Sequence, residues 1–221
     1  MVLFSEQLHI QPGIIAIIGG GGKTTLLYRL GEELSKKGRV IVTTSTHLYP
    51  PEHIPVLTQT DAVDGLICLG SPTPSGKLTA PKQSFADLAS LADYVLVEAD
   101  GSAGLPLKAH ASHEPVIPEG SNQVIAVVGL SAIGEPLAQV AHRPQIYAEL
   151  TNTSTDTPVT PEMVAEVLNK EDLHTRVFLN QADTPEAITA AGKLRQLLPC
   201  PVIVGSLHKG ELLCSFDSRR R

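Results

Sequence analysis

Residues 14–27 read Ile-Ile-Ala-Ile-Ile-Gly-Gly-Gly-Gly-Lys-Thr-Thr-Leu-Leu. An apolar, β-branched run enters four glycines, Gly19, Gly20, Gly21 and Gly22. Lys23, Thr24 and Thr25 follow, and then an apolar stripe with helical spacing. That order predicts strand, phosphate loop, helix. Glycines let successive backbone N–H groups turn onto a polyphosphate without side-chain clash. The helix N-terminus that follows adds partial positive charge. Lys23 has the reach to meet β- and γ-phosphates, and the Thr24 hydroxyl suits Mg2+. The stretch therefore predicts a nucleoside triphosphate site, with Gly19–Gly22, Lys23, Thr24 and Thr25 as its cofactor-binding residues.

The frame is short. G-x-x-x-x-G-K-[ST] would need a glycine where Ile17 stands, and the loop is instead G-x-x-G-K-T from Gly19 to Thr24. That spacing resembles the triphosphate loops of Mur-type amino-acid ligases and folylpolyglutamate synthetases.

Working outward, Leu26, Leu27, Leu30 and Leu34 form one helix face. Lys36 and Lys37 suit a last turn, and Gly38 a stop. Val40 to Thr43 is the next strand, so strand, helix and strand make a βαβ unit with parallel strands. Further buried strands are expected at 94–97, 124–128, 177–179 and 202–204, and helices at 85–91, 161–168 and 185–198. The expected fold is α/β: a P-loop NTPase-like three-layer domain with a mostly parallel sheet. It spans 1–221 as a single nucleotide-binding domain with a small hairpin insertion near 66–82.

Composition narrows the partners. The 221 residues are 42% hydrophobic with a formal charge of −6 and no clustered cations. Nucleic acid is disfavoured, because phosphate contacts dominate that affinity. The closing Arg219-Arg220-Arg221 reads as a solvated tail. No run approaches the roughly 20 apolar residues of a membrane span. Cys68, Cys200 and Cys214 are scattered and form no C-x-x-C pair, so each reads as a small apolar residue rather than a metal or disulfide element. A cytoplasmic setting is the default.

Further motifs carry chemistry. Tyr94-Val-Leu-Val-Glu-Ala-Asp-Gly delivers Glu98 and Asp100 at the end of a buried strand. Two residues apart, they share a direction in extended chain. Such acids hold Mg2+ and position the attacking group. Thr24, Glu98 and Asp100 are thus the metal candidates, and Lys23, Glu98 and Asp100 the first catalytic ones. The D-x-x-G switch of small GTPases is not met, since Gly104 lies one place late. Thr44 or Thr46 is a candidate γ-phosphate sensor. The loop from Ala99 to Pro118 adds Lys108, which could neutralise phosphate or bind an anionic substrate, and His113-Glu114, readable as a metal or acid/base pair. Arg143 could stabilise transition-state charge. Asn180 and Asp183 match the first and last positions of the guanine-reading N-K-x-D of GTPases, with Gln181 in place of the lysine. GTP and ATP both stay open as cofactor, with Mg2+.

Taken together, the motifs resemble one family. Gly-Gly-Gly-Gly-Lys-Thr-Thr, Thr-Thr-Ser-Thr-His, Val-Glu-Ala-Asp-Gly-Ser, Pro-Leu-Lys-Ala, His-Glu-Pro-Val-Ile-Pro, His-Arg and Leu-Asn-Gln-Ala-Asp occur in this order. The chain resembles the YqeC-type selenium-dependent molybdenum hydroxylase accessory proteins over roughly residues 10–206. The resemblance implies a role in maturing such a hydroxylase, with that enzyme as client. Members commonly carry Asn-Lys-x-Asp, and Gln181 departs from that. Three activities remain open: an NTPase serving a client, a kinase or ligase acting on a small acid, and a non-catalytic assembly factor.

Overall fold

A computed structural model describes residues 2–216. Arg219-Arg220-Arg221, read above as a solvated tail, lies outside the described residues, as does the thiol of Cys214. The chain divides into two compact units. The first holds Met1–Ile18, Lys23–Gly101 and Pro115–Val124. The second holds Gly19–Gly22, Ser102–Glu114 and Ile125–Arg221.

In the first unit the strands are β1 (Gly13–Gly19, to Ile18 in this unit), β2 (Val40–Thr44), β3 (Val56–Leu57), β4 (Leu66–Leu69) and β5 (Tyr94–Glu98). Their order is β1-β5-β2-β4-β3, and every neighbouring pair is parallel. β1 is buried along nearly its whole length and β2 along all of it. That is why they read as unbroken apolar runs rather than alternating ones. Helix α1 (Phe4–Gln7) packs on α2 (Lys23–Leu34). Helix α2 lies on one face of the sheet, where a Cβ on Gly31 would stand 3.0 Å from Val42 Cγ1. Helix α3 (Phe85–Leu91) covers the opposite face: Leu88 packs with Ile14, Ile41, Val95 and Val97. Ile41 and Val42 are adjacent and so point to opposite faces. Helix, sheet and helix are the three layers. A reciprocal capping box between Ser84 and Asp87 starts α3.

Two local details differ from the sequence reading. Helix α2 ends at Leu34, one turn early, because Lys37 and Gly38 both donate their N–H to Leu34 O. Lys37 instead pairs with Glu6 at 3.1 Å. Leu66–Leu69 is a strand of the parallel sheet, and the hairpin is Ser71–Pro72 with Leu78–Thr79, extended by His47–Leu48.

The second unit contains the C-terminal part of β6 (Ser121–Gly129), then β7 (Arg176–Asn180), β8 (Val202–Ser206) and β9 (Glu211–Phe216). The order is β9-β8-β7-β6, parallel except for antiparallel β9 at the edge. Helices α4 (Leu137–Val140), α5 (Pro144–Thr151), α6 (Pro161–Glu171) and α7 (Pro185–Leu197) accompany it. Thr160 and Thr184 cap α6 and α7 through bonds to the N–H of Met163 and Ala187, each followed by proline at the first helical position. Both units are α/β with mostly parallel strands, the class the sequence predicts, and the architecture is consistent with a P-loop NTPase-like fold.

Candidate functional site

In the first unit, the start of α2 meets the end of β5. Lys23 Nζ lies 3.1 Å from Asp100 Oδ1, with side-chain exposures of 3% and 0%. The Thr24 hydroxyl donates to Glu98 Oε2 at 2.7 Å. Glu98 closes β5 and Asp100 lies two residues on, a spacing that turns both acids the same way in extended chain. Burial pushes the Glu98 carboxyl above the usual carboxylate range, and Asp100 adds to this; Lys23 and the Thr24 hydroxyl oppose it. The four side chains named for phosphate and metal are thus brought together. Thr25 is exposed on α2.

The segment after β2 closes on the same strand end. Thr44 Oγ1 donates to Glu98 O at 2.8 Å and accepts from Thr46 N at 3.0 Å, while Ser45 N also reaches Glu98 O. Thr44 is buried, so its hydroxyl serves this turn. Among the described residues no group of three or more His, Cys, Asp or Glu side chains is placed to cage a metal. A hydroxyl and a carboxylate meeting as Thr24 and Glu98 do are hard oxygen donors. They fit Mg2+, which takes one or two protein ligands and completes its shell with water and phosphate.

In the second unit the glycine loop is held from behind. Gly20 N–H donates to Val127 O at 2.9 Å and Gly21 N–H to Leu105 O at 3.0 Å. These two amides therefore do not face a ligand. Gly21 has φ +78°, and a Cβ there would stand 2.4 Å from Gly129 N. Asn180 Nδ2 donates to Gly21 O at 2.7 Å, and Asn180 Oδ1 accepts from Leu207 N at 3.0 Å. Asp183 is exposed. A hydrogen bond from Ser206, and then Lys209, hold its carboxyl below the ordinary value. Lys209 Nζ lies 3.4 Å from it. Gln181 takes a positive φ of 63°, and its Oε1 accepts from Ser131 Oγ at 2.6 Å.

A second polar cluster in this unit surrounds a short ladder of Leu107–Lys108 with Ala141–His142. Glu114 Oε1 lies 3.1 Å from Lys108 Nζ, and Oε2 accepts from Arg143 Nε at 2.8 Å. Burial pulls the Glu114 carboxyl upward, but Arg143 and Lys108 outweigh it and hold the group at about 2. Arg143 sits at φ 63° and ψ 59° just before Pro144. A left-handed non-glycine residue costs about 1–3 kcal/mol and persists only where its surroundings enforce it. His113 is exposed, and Glu114 is committed to the two cations rather than to it. The sequence did not expose His110 with Glu171, whose Oε1 accepts from His110 N at 2.7 Å while Oε2 meets Nδ1 at 2.7 Å. No local signal marks a pair 61 residues apart. Burial raises the thiols of Cys68, to about 12, and Cys200, so neither is a thiolate nucleophile at neutral pH.

No helix among the described residues is long and apolar enough to cross a membrane. The family described as YqeC protein matches residues 15–145, from β1 through the glycine loop, the β5 acids and Glu114 to the start of α5. A protein from Escherichia coli (strain K12), described as uncharacterized protein YqeC, is 40% identical over 162 residues. The match takes in 66% of this chain and spans 63% of that relative's length. With the motifs that carry the buried Lys23–Asp100 and Thr24–Glu98 pairs inside the matched stretch, the chain belongs to the YqeC family.

Proposed function

We propose that this chain binds a nucleoside triphosphate, GTP or ATP, with Mg2+ and hydrolyses it as an accessory factor in the cytoplasm. The observation that carries the reading is the buried Lys23–Asp100 pair beside Thr24–Glu98, directly after the glycine loop in sequence. A buried ammonium demands a counter-anion. Asp100 supplies it here, and a triphosphate supplies it when bound. Thr24 and Glu98 would hold Mg2+, which would neutralise phosphate charge. Lys23 would orient the β- and γ-phosphates, and Asp100, released from it, would position the attacking water. Positioning and charge neutralisation provide most of the acceleration in this chemistry. Asp183, exposed after β7, is the candidate reader of guanine. The maturation of a selenium-dependent molybdenum hydroxylase is the physiological role that the resemblance supports.

Calorimetric titration with GTP and with ATP, each with Mg2+, tests the reading. Lys23→Ala should abolish binding; unchanged affinity in that variant overturns the proposal. If Asp183→Ala removes a preference for GTP, the Asn180–Asp183 turn reads guanine. Turnover only with a small acidic co-substrate would make the protein a kinase or ligase, and binding without turnover an assembly factor.

A further inference from the structure

In the first unit, the hairpin after β4 carries a lysine to the corner where Thr24 meets Glu98. Its tip turns through Gly76. Thr73 fixes the next residue by donating both its N–H and its hydroxyl to Lys77 O, each at 2.8 Å. The ladder pairs His47 with Thr79 and Leu48 with Leu78 in antiparallel register. One step further Tyr49 stands opposite Lys77, and Lys77 Nζ lies 4.6 Å from the centre of the Tyr49 ring. Leu48 and Leu78 are buried, so Tyr49 and Lys77 share the other face of the ladder. Two bonds place that face. Thr79 Oγ1 donates to Thr46 O at 2.9 Å, just after the turn that Thr44 makes on Glu98 O. Tyr28 lies one helical turn beyond Thr24 on the same side of α2, and its hydroxyl donates to Tyr49 O at 2.7 Å. The ammonium is near enough for its charge to act on Glu98: burial raises that carboxyl, and Lys77 joins Lys23 in opposing the rise. Lys77 Nζ makes no hydrogen bond or ion pair with the described residues and rests on the Tyr49 ring, which is 66% exposed. A ring face holds a cation less strongly than an ionised oxygen does.

We propose that Lys77 is a second cation of the phosphate site, brought in by the hairpin to contact the terminal phosphate of a bound nucleoside triphosphate, with the Tyr49 ring as its resting place. The flexible four-carbon stem lets the ammonium leave the ring for phosphate oxygen, while Thr73 and the ladder keep its backbone still. Lys23, from the start of α2, and Lys77, from the hairpin, would then meet the polyphosphate from two different elements. An ammonium at the terminal phosphate offsets charge on the group being transferred. The proposal rests on the nucleotide reading above and deepens it, by giving the site a means of telling a triphosphate from a diphosphate.

The probes are the β,γ-imido analogues of GTP and ATP, with GDP and ADP for comparison, each titrated calorimetrically with Mg2+ into the full chain. Lys77→Met should weaken the triphosphate analogue by about tenfold or more, the worth of a lost charge-assisted bond. Diphosphate affinity should stay within about twofold of wild type. Lys77→Arg should restore most of the triphosphate affinity. A purely structural lysine would not discriminate between the two ligands. Unchanged triphosphate affinity in Lys77→Met overturns the proposal; joined to a lowered thermal midpoint, it would make the Tyr49–Lys77 pair a staple of the hairpin. An equal loss for di- and triphosphate overturns it as well. If wild type binds no nucleotide, the nucleotide reading fails and takes this proposal with it. If wild type binds and Lys77→Met binds as tightly, this proposal alone fails.

Discussion

Asn180 donates its side-chain amide to the carbonyl of Gly21, 159 residues away, and accepts the backbone N–H of Leu207 on its other arm. A single side chain thus ties the glycine loop to the segment after β8. Asn180→Ala leaves a buried carbonyl and a buried N–H without these partners, at about 1–3 kcal/mol for each unsatisfied group. Asn180→Asp turns the donor into an acceptor facing Gly21 O and is expected to cost at least as much. Urea unfolding of both variants checks this, and stability equal to wild type in either would contradict the assignment.

Lys23 and Asp100 are expected to be strongly non-additive. Removing one breaks the buried pair, at about 3–5 kcal/mol, whereas removing both is far milder. A double-mutant cycle with Lys23→Met and Asp100→Leu measures the coupling. Additive losses would mean that the pair is not an energetic unit.

Glu98 should trade stability against function. Its folded carboxyl titrates above the unfolded value, so its contribution is complete below the unfolded pKa and is lost as pH rises through the folded one. Glu98→Gln should therefore raise the thermal midpoint at pH 7, an advantage that fades toward pH 4, while weakening Mg2+-dependent nucleotide binding. A lowered midpoint at neutral pH would refute the assignment.

Glu114 carries the opposite sign. Its carboxyl is held at about 2, below the ordinary 4.5. Its stabilisation is present above the unfolded pKa and is lost as pH falls from about 4.5 toward 2. The stability difference between wild type and Glu114→Gln should be largest near pH 7, on the order of 3 kcal/mol, and small at pH 2.5. A difference independent of pH would contradict the ion pairs with Lys108 and Arg143.

Gly21 and Gly101 offer a contrast. Gly21→Ala places a methyl 2.4 Å from Gly129 N at φ +78°, whereas a Cβ on Gly101 meets nothing within 4 Å. Gly21→Ala should destabilise by about 3 kcal/mol or more, and Gly101→Ala by less than about 1 kcal/mol. Circular-dichroism melting distinguishes them.

The βαβ unit, the buried strands and the β5 acids were legible in sequence because their signals are local: unbroken apolar runs, a 3.6-residue stripe and proline after threonine. Meeting of Thr24 with Glu98, 74 residues apart, followed once both were placed at strand and helix ends. What escaped was set by tertiary packing. Helix α2 stops early because two amides converge on Leu34 O, which no residue type announces. Glu171 looks like any acid closing a helix until the fold brings it to His110. Glu114 was paired by adjacency with His113, but the backbone turns it to Lys108 and Arg143.

The bonds from Gly20 to Val127 and from Gly21 to Leu105 give the glycine loop its shape before any ligand arrives. The conformational freedom of these residues is surrendered when the chain folds, not when something binds. A loop pre-shaped in this way opposes association with little ordering entropy, so its encounter rate should be set by diffusion and charge rather than by rearrangement. The same tethers mean that these glycines are needed for packing whether or not the loop takes a ligand.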